Sequence, residues 1–176
     1  MAHFELKLKR RFIGILVLCL ATTATAQIPT SFQVPVLGYL FDTESRTIRP
    51  IVGVAGSSRI DAPLALPITI ESAAFLPDHR HAIVSSRDSS TLMVFDLLEI
   101  KGTPIFGARS SITSLEMSSD GKTVALYYAD SRNLLIVGGL PAAPVILGSI
   151  DTSFVSATLS QFAISDDGGA ALLGFS

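Results

Sequence analysis

Short apolar runs alternate with polar turns along most of the chain, and an aspartate marks three of these turns. Asp78, Asp120 and Asp167 are 42 and 47 residues apart, and each lies between two apolar runs of three to five residues. A turn residue between two such runs is typical of a β-hairpin. A period in the forties is the range of repeat architectures such as propellers. The pattern therefore predicts an all-β repeat protein.

A second repeat is offset from the first and marks the other half of each unit. Phe-Asp occurs at 41-42 and at 95-96, and in both cases a Pro-Ile pair begins eight residues after the aspartate, at 50-51 and 104-105. Pro144 opens a similar apolar run in the third unit. A proline at the start of a strand suits a sheet edge, where its missing N–H faces solvent.

Together the two repeats predict a unit of four short antiparallel strands, a to d. In the second unit these strands are 70-76, 81-85, 91-96 and 104-107. The b and c runs are apolar nearly throughout, so we expect neighbours to cover both of their faces. A four-stranded sheet packed between like neighbours is a propeller blade. The sequence lacks the sustained periodicity and caps of helices, which excludes an α-solenoid.

Two kinds of motif connect these units to a known group. The Phe-Asp pairs at 41-42 and 95-96 stand where Trp-Asp ends strand c of WD40 repeats. Ser-Ser-Asp-Gly at 118-121 and Ser-Asp-Asp-Gly at 165-168 are similar to the S-P-D-G turn of YVTN-type repeats. Over roughly 36-176 the chain thus resembles the WD40-like and YVTN-like β-propellers that many bacteria export. The resemblance implies four-stranded antiparallel blades and little about function, because this fold hosts scaffolds, binding proteins and a few enzymes.

The repeats divide the chain into a series of blade segments. We expect strands c and d of one blade at 36-53, a long link at 54-67, full blades at 68-108 and 109-150, and strands a and b of another blade at 151-176. This is about three blades' worth, below the four to eight that propellers use. We therefore expect an incomplete ring. It is either a fragment of a longer protein or half of a pair of chains that join head to tail into six blades.

The first 26 residues have the pattern of a secretory signal peptide. Four basic residues at 7-11 and a ten-residue apolar run at 12-21 precede the small-x-small site Ala24-Thr25-Ala26. Ten helical residues span about 15 Å, roughly half of a hydrocarbon core, which favours a cleaved signal over an uncleaved anchor. We expect export to the periplasm or extracellular space after cleavage following Ala26, with 27-176 as the partial propeller. Cys19 leaves with the signal.

Composition narrows the classes of partner. Of the 176 residues, 48% are hydrophobic and 16% are charged, which excludes a disordered or collagen-like chain. Four of the thirteen basic and one of the fifteen acidic residues lie in 1-26, so nine basic and fourteen acidic residues remain, a net charge of -5. Without a basic stripe we expect no nucleic-acid partner and no membrane contact after cleavage. Without cysteine, 27-176 has no disulfide framework.

Three segments invite a chemical interpretation, and each is better explained as a turn or a loop. Residues 78-81, Asp-His-Arg-His, lack a third and fourth ligand at metal-site spacing. Residues 166-169, Asp-Asp-Gly-Gly, lack the alternate oxygen ligands of a calcium loop. The glycine-rich 53-58 lacks the Gly-Lys-Ser/Thr of a P-loop. With no Gly-x-Ser-x-Gly elbow either, we predict no catalytic, cofactor-binding or metal site and no cofactor.

We expect an exported, non-catalytic binding or scaffold module that meets a protein, peptide or glycan partner on one propeller face. The alternative is a propeller hydrolase or lactonase whose site is completed by further blades. The open blade edges also predict self-association.

In propellers the d–a links and b–c loops emerge on one face, where partners are usually met, and the a–b and c–d turns emerge on the other. The candidate residues on the first face are Arg59, Asp61, Arg87, Asp88, Arg109, Asp130, Arg132 and Asp151. Arg46 and Arg80 are expected on the opposite face. Ordinary loop charges or interblade ion pairs remain the alternative for all of these residues.

Overall fold

A computed structural model describes residues 34–176 of the chain. These residues form thirteen strands in four antiparallel sheets, with no helix among them and hence no helix that could span a membrane. The predicted all-β fold is confirmed. The predicted signal peptide and Gln27 lie outside the described residues.

The second sheet is a complete blade. Its strands are β4 (Ile70–Phe75), β5 (His81–Ser86), β6 (Thr91–Asp96) and β7 (Lys101–Arg109), hydrogen-bonded in that order as strands a to d. Strand d is longer than predicted from the sequence.

The third sheet has the same order, which confirms the four-stranded antiparallel blade. Its strands are β8 (Ser114–Met117), β9 (Val124–Tyr128), β10 (Asn133–Gly138) and β11 (Val145–Asp151). The fourth sheet consists of strands a and b only, β12 (Leu159–Ile164) and β13 (Ala171–Phe175). The four sheets form an arc that does not close into a ring.

The turn between strands a and b is built from the same contacts in successive sheets. The hydroxyl of Ser118 donates to Asp120 over 2.9 Å and that of Ser165 donates to Asp167 over 2.6 Å. Each of these aspartates, and Asp78 in the second sheet, accepts the amide N–H two residues further on at 2.9 Å. The three aspartates therefore close equivalent a–b turns.

The residue after each aspartate has a left-handed backbone. Gly121 and Gly168 have φ of 70° and 71°, and His79 occupies the same position with φ of 56°. Glycine adopts this conformation without steric cost, whereas a residue with a Cβ does not. The Gly of the Asp-Gly motif is thus the residue that suits this turn best, and His79 is the strained member of the set.

The first sheet has three strands, β1 (Val36–Asp42), β2 (Thr47–Val54) and β3 (Ser57–Ile60). The link expected at 54-67 therefore contains a strand. Gly56, with φ of 85°, allows the two-residue turn that joins β2 to β3. Beyond β3, the amide of Leu64 donates to the carbonyl of Ile48 over 2.8 Å, so pairing along β2 continues.

Contacts with the second sheet fix the direction of β1. Near its start, a Cβ on Gly38 would lie 4.0 Å from His79 Nδ1 in the a–b turn, and Tyr39 stacks on Phe75 with ring centroids 6.4 Å apart. Beyond its end, Arg46 reaches Glu71 at the start of strand a. β1 therefore runs opposite to strand a, as strand b does. The first sheet supplies strands b, c and d, whereas the sequence placed strands c and d at 36-53.

This assignment aligns the first three sheets. Four-residue turns at 43-46, 87-90 and 129-132 join strands b and c, so that strand c begins at Thr47, Thr91 and Asn133. These starts are 44 and 42 residues apart. The repeat is therefore regular once strands b, c and d are assigned to the first sheet.

The hydrophobic core lies between successive sheets. Ile83 of the second sheet packs with Val124 and Leu126 of the third. On the other face of the third sheet, Ala125 and Tyr127 form a cluster with residues of the fourth. Successive strand residues point to opposite faces, so strand b of an inner sheet buries both its odd and its even positions. This explains the nearly continuous apolar b and c runs.

Candidate functional site

Six of the eight predicted residues lie at one end of the sheets, here called the b–c end. It carries the b–c turns 43-46, 87-90 and 129-132 together with the d–a links 110-113 and 152-158. The six residues are Arg87, Asp88, Arg109, Asp130, Arg132 and Asp151. They form three groups along successive sheets.

The first group joins the end of strand d in the second sheet to the b–c turn of the third. Arg109 makes a two-pronged ion pair with Asp130, Nη1 to Oδ2 at 2.8 Å and Nη2 to Oδ1 at 3.1 Å. Its guanidinium lies 4.6 Å above the ring centre of Tyr128, whose hydroxyl accepts the Arg109 amide N–H and donates to the Arg109 carbonyl. The hydrogen bonds from Arg109 hold the pKa of Asp130 below its ordinary value.

The second group is centred on Glu71, at the start of strand a in the second sheet. Both Arg87 and Arg46 donate to Glu71 Oε2, the latter over 3.1 Å. The hydrogen bond from Arg87 lowers the pKa of Glu71. Nearby, Asp88 Oδ2 accepts the amide N–H of Thr69 over 3.0 Å. Arg46 therefore lies at the b–c end and not on the opposite face, because its turn joins strands b and c.

The third group fixes the link from the third sheet to the fourth. The guanidinium of Arg132 donates to the carbonyls of Val155 and Ala157, the latter over 2.8 Å. Asp151 Oδ1 accepts the amide N–H of Ser153, also over 2.8 Å. Arg132 is equivalent to Arg46, since both end a b–c turn with left-handed φ, 50° and 53°, and both reach towards strand a of the next sheet.

These arginines hold adjacent sheets together while remaining at the surface. Arg46, Arg109 and Arg132 each donate across a sheet boundary, and their acceptors include two exposed carboxylates. An exposed ion pair contributes little to stability, about 0–1 kcal/mol. The same side chains still present charge to solvent: Arg87 is 55% and Asp130 is 60% exposed. The b–c end is thus a surface on which positive and negative groups alternate.

Comparison with known proteins identifies the architecture. No protein-family model and no curated protein matches the chain. Solved structures do match. A putative 6-phosphogluconolactonase from Bacteroides uniformis aligns with a TM-score of 0.50 and 14% identity, over 77% of this chain and 43% of its own. A chain from the complex of KlAtg21 with the coiled coil of AgAtg16 aligns with a TM-score of 0.51 and 11% identity, over 82% and 50%. The C-terminal WD40 domain of Sif2 gives a TM-score of 0.46 and 15% identity, over 83% and 44%.

The chain has a β-propeller fold. At these identities the likeness concerns the fold alone, and the chain spans half or less of the length of each structure that it matches.

Two predicted residues do not join the b–c end of the propeller. Arg59 lies within β3, opposite Val52, and Asp61 continues that strand, its amide donating to the Pro50 carbonyl over 2.9 Å. Both belong to the outer strand of the first sheet because the segment predicted as a link is a strand.

The histidine-containing turn lies at the opposite end of the propeller. Asp78 accepts the amides of Arg80 and His81, and its Oδ2 lies 2.6 Å from His81 Nδ1. Arg80 Nε donates to Asp96 over 2.9 Å, and this hydrogen bond lowers the pKa of Asp96 to about 2. Within residues 34–176, no three His, Cys, Asp or Glu side chains are arranged to hold a metal ion. The contacts are those of a hairpin turn.

Three residues of the b–c end were not predicted from the sequence. Glu71 is a lone charge within the apolar run of strand a, and that break in the run was its one sequence signal. Tyr128 lies in an apolar strand and gives no such signal. Phe154 is 75% exposed in the d–a link, next to the Val155 carbonyl that Arg132 binds. Exposed aromatic side chains are among those that protein interfaces favour.

Proposed function

We propose that this chain is an exported propeller module whose b–c end binds a protein or peptide partner. The observation that carries the proposal is the surface formed by Arg87, Arg109, Asp130 and Phe154, exposed on a rigid scaffold across three successive sheets. Loops held by a rigid scaffold are where binding residues concentrate.

The residue types favour a polypeptide as partner. Alternating arginines and carboxylates can pair with both charges of a polypeptide, and the exposed ring of Phe154 offers an apolar anchor. The solved complex of KlAtg21 with the coiled coil of AgAtg16 provides an analogy at the level of the fold, since it joins a protein partner to a chain that this one resembles.

Export is part of the proposal and is supported by the sequence of residues 1-26. The basic segment, the apolar run and Ala24-Thr25-Ala26 are those of a cleaved signal. N-terminal sequencing of the protein purified from its native host should return Gln27 as the first residue. Recovery of an intact Met1 from a soluble cytoplasmic product would contradict export.

The binding face is tested by comparing variants at the two ends of the propeller. Arg87→Glu and Phe154→Ala alter the b–c end. Arg80→Glu is the matched control, because Arg80 is also an exposed arginine paired with carboxylates, but at the other end. Each variant is coupled to a resin and challenged with exported proteins of the host. Bound species are identified by mass spectrometry, and melting temperatures serve as folding controls.

Arg87→Glu and Phe154→Ala should lose a partner that both the wild type and Arg80→Glu retain, with little change in melting temperature. Protease treatment of the extract before capture should abolish binding, which distinguishes a protein from a glycan. Equal capture by all variants would contradict the assignment of the face.

A further inference from the structure

Strand d forms one edge of each of the first three sheets, here called the d edge, and these edges differ in how they are protected. In the first sheet, β3 has only four residues and contains Arg59. In the second, β7 contains Pro104, and its pairing with β6 is interrupted between Thr91 and Met93. Short length, charge, proline and bulges are the means by which edge strands avoid pairing with another chain.

The d edge of the third sheet is longer and more apolar. Its strand, β11, has seven residues, no proline, and a charge only at its last position. Its pairing with β10 skips Leu147 alone, and that side chain is 50% exposed. The neighbouring β7 extends the apolar surface, because a Cβ on Gly107 would lie 2.5 Å from Ile146 Cδ1 and the adjacent Phe106 is 78% exposed.

The backbone of β11 offers hydrogen bonds along this edge. The amide of Thr152 donates to the carbonyl of Arg132 over 2.8 Å, next to the pair formed by Asp151 and Asn133. Hydrogen-bonded and non-hydrogen-bonded pairs alternate in antiparallel strands, so the N–H and C=O groups of Ser149 and Asp151 point away from β10. In the described part of the chain no strand pairs with this edge. The group that matches such a row is the backbone of another extended chain, since a helix uses its own N–H and C=O groups internally.

The d edge of the third sheet is continuous with the b–c end. β11 ends at Asp151, and the exposed Phe154 follows three residues later in the d–a link. Hydrogen bonds from Ser153 hold the pKa of Asp151 below its ordinary value, so this carboxylate is charged at neutral pH. A polypeptide bound at Phe154 therefore reaches β11 by passing a negative charge.

We propose that the polypeptide partner of the b–c end adds an extended segment to β11 as a fifth strand of the third sheet. This inference rests on the proposed function and specifies the form in which the partner binds. The added segment continues the antiparallel order of the sheet, with apolar side chains next to Leu147 and Phe106. Its N-terminal end lies at the b–c end, where a lysine or arginine meets Asp151.

Hydrogen exchange measured by NMR tests the added strand without any variant. Peptides selected on the purified protein from a random library displayed on phage are the probes. A bound peptide should slow the exchange of the Ser149 and Asp151 amides by more than about tenfold. The amide of Ile150 already bonds to β10 and should change little. If no selected peptide slows exchange at Ser149 and Asp151, strand addition is wrong.

Ser149→Pro tests the same contact from the side of the protein. Proline removes an N–H group that points to solvent, so pairing with β10 and the melting temperature should be retained. The affinity for the selected peptide should fall by more than about tenfold. Ser149→Ala is the matched control, because it keeps the N–H group, and its affinity should stay within about twofold of the wild type.

Arg87→Glu and Phe154→Ala separate this inference from the proposed function. If they weaken binding of the peptide and Ser149→Pro does not, the b–c end remains the binding site and strand addition is overturned. If Ser149→Pro alone weakens binding, pairing at β11 is supported and the b–c end is not the site. A wild type that is dimeric by light scattering, with a monomeric Ser149→Pro, would show that a second copy occupies the edge and would overturn the proposal.

Discussion

Gly121→Ala tests whether the second and third sheets meet as described. Gly121 lies in the a–b turn of the third sheet with φ of 70°. A Cβ added to it would lie 2.5 Å from Cδ and 2.9 Å from Cγ of Pro77, in the a–b turn of the second sheet. The proline ring cannot rotate away as a flexible side chain could. The two turns would have to separate.

The expected loss has two parts. An alanine in the left-handed region costs about 1–2 kcal/mol, of which about 0.5–1 kcal/mol is recovered because glycine loses more backbone entropy on folding. Overpacking against Pro77 adds about 1–3 kcal/mol. Gly121→Ala should therefore lower the free energy of unfolding by about 1–4 kcal/mol. Gly56→Ala is the matched control, because Gly56 has φ of 85° and an added Cβ would have no atom within 4 Å.

Urea unfolding followed by circular dichroism measures the free energy of unfolding for the wild type and both variants. Gly56→Ala should lose about 1.5 kcal/mol or less, the backbone part alone. The excess loss in Gly121→Ala then reports the contact between the two turns. Equal losses in the two variants would show that Pro77 and Gly121 do not meet, and would refute the described packing of the second and third sheets.

Three further predictions follow from single contacts. Arg80 lowers the pKa of Asp96 from 3.8 to about 2, so this carboxylate stabilises the fold above pH 3.8 and its contribution is lost as the pH falls towards 2. Asp96→Asn should therefore flatten the acid-unfolding curve between these two pH values. An unaltered curve would contradict the ion pair between Arg80 and Asp96. Leu134→Ala, at a fully buried position, should cost about 2–5 kcal/mol in urea unfolding, whereas Leu98→Ala should cost less than about 0.5 kcal/mol. Tyr128→Phe removes two hydrogen bonds to the backbone of residue 109 and should cost about 1–2 kcal/mol; a melting temperature equal to that of the wild type would show that these bonds are not formed.

Turn chemistry explains both the success of the sequence-based prediction and its main error. Turns that contain an aspartate between apolar runs predicted the hairpins of the second, third and fourth sheets, because such turns are determined by local hydrogen bonds. The same local chemistry misplaced the first sheet. Asp42 accepts hydrogen bonds from the amide N–H groups of Glu44 and Ser45. In the same way, Asp96 accepts them from Leu98 and Glu99, the residues two and three positions further on. The shared Phe-Asp motif therefore marks a type of turn, and in the first sheet that turn joins b to c.

The candidate site was predictable in its location and not in its contacts. Blade wiring placed Arg87, Arg109 and Arg132 at one end, because loops follow from strand order. The acceptors of these arginines depend on how one sheet packs on the next, which a single repeat does not encode. Glu71 and the carbonyls at 155 and 157 became visible only in three dimensions.

The orientation of the first sheet determines which end of the propeller carries Arg46. This orientation is measured most directly by the distances between paired spin labels. One pair of cysteines replaces Arg46 and Glu71, and a second pair replaces Arg46 and His79, both in the Cys19→Ser chain. If β1 is strand b, the first distance is shorter than the second by on the order of 15 Å, since strand a rises about 3.3 Å per residue between the two ends. If the second distance is the shorter one, β1 runs the other way, and Arg46 does not belong to the b–c end.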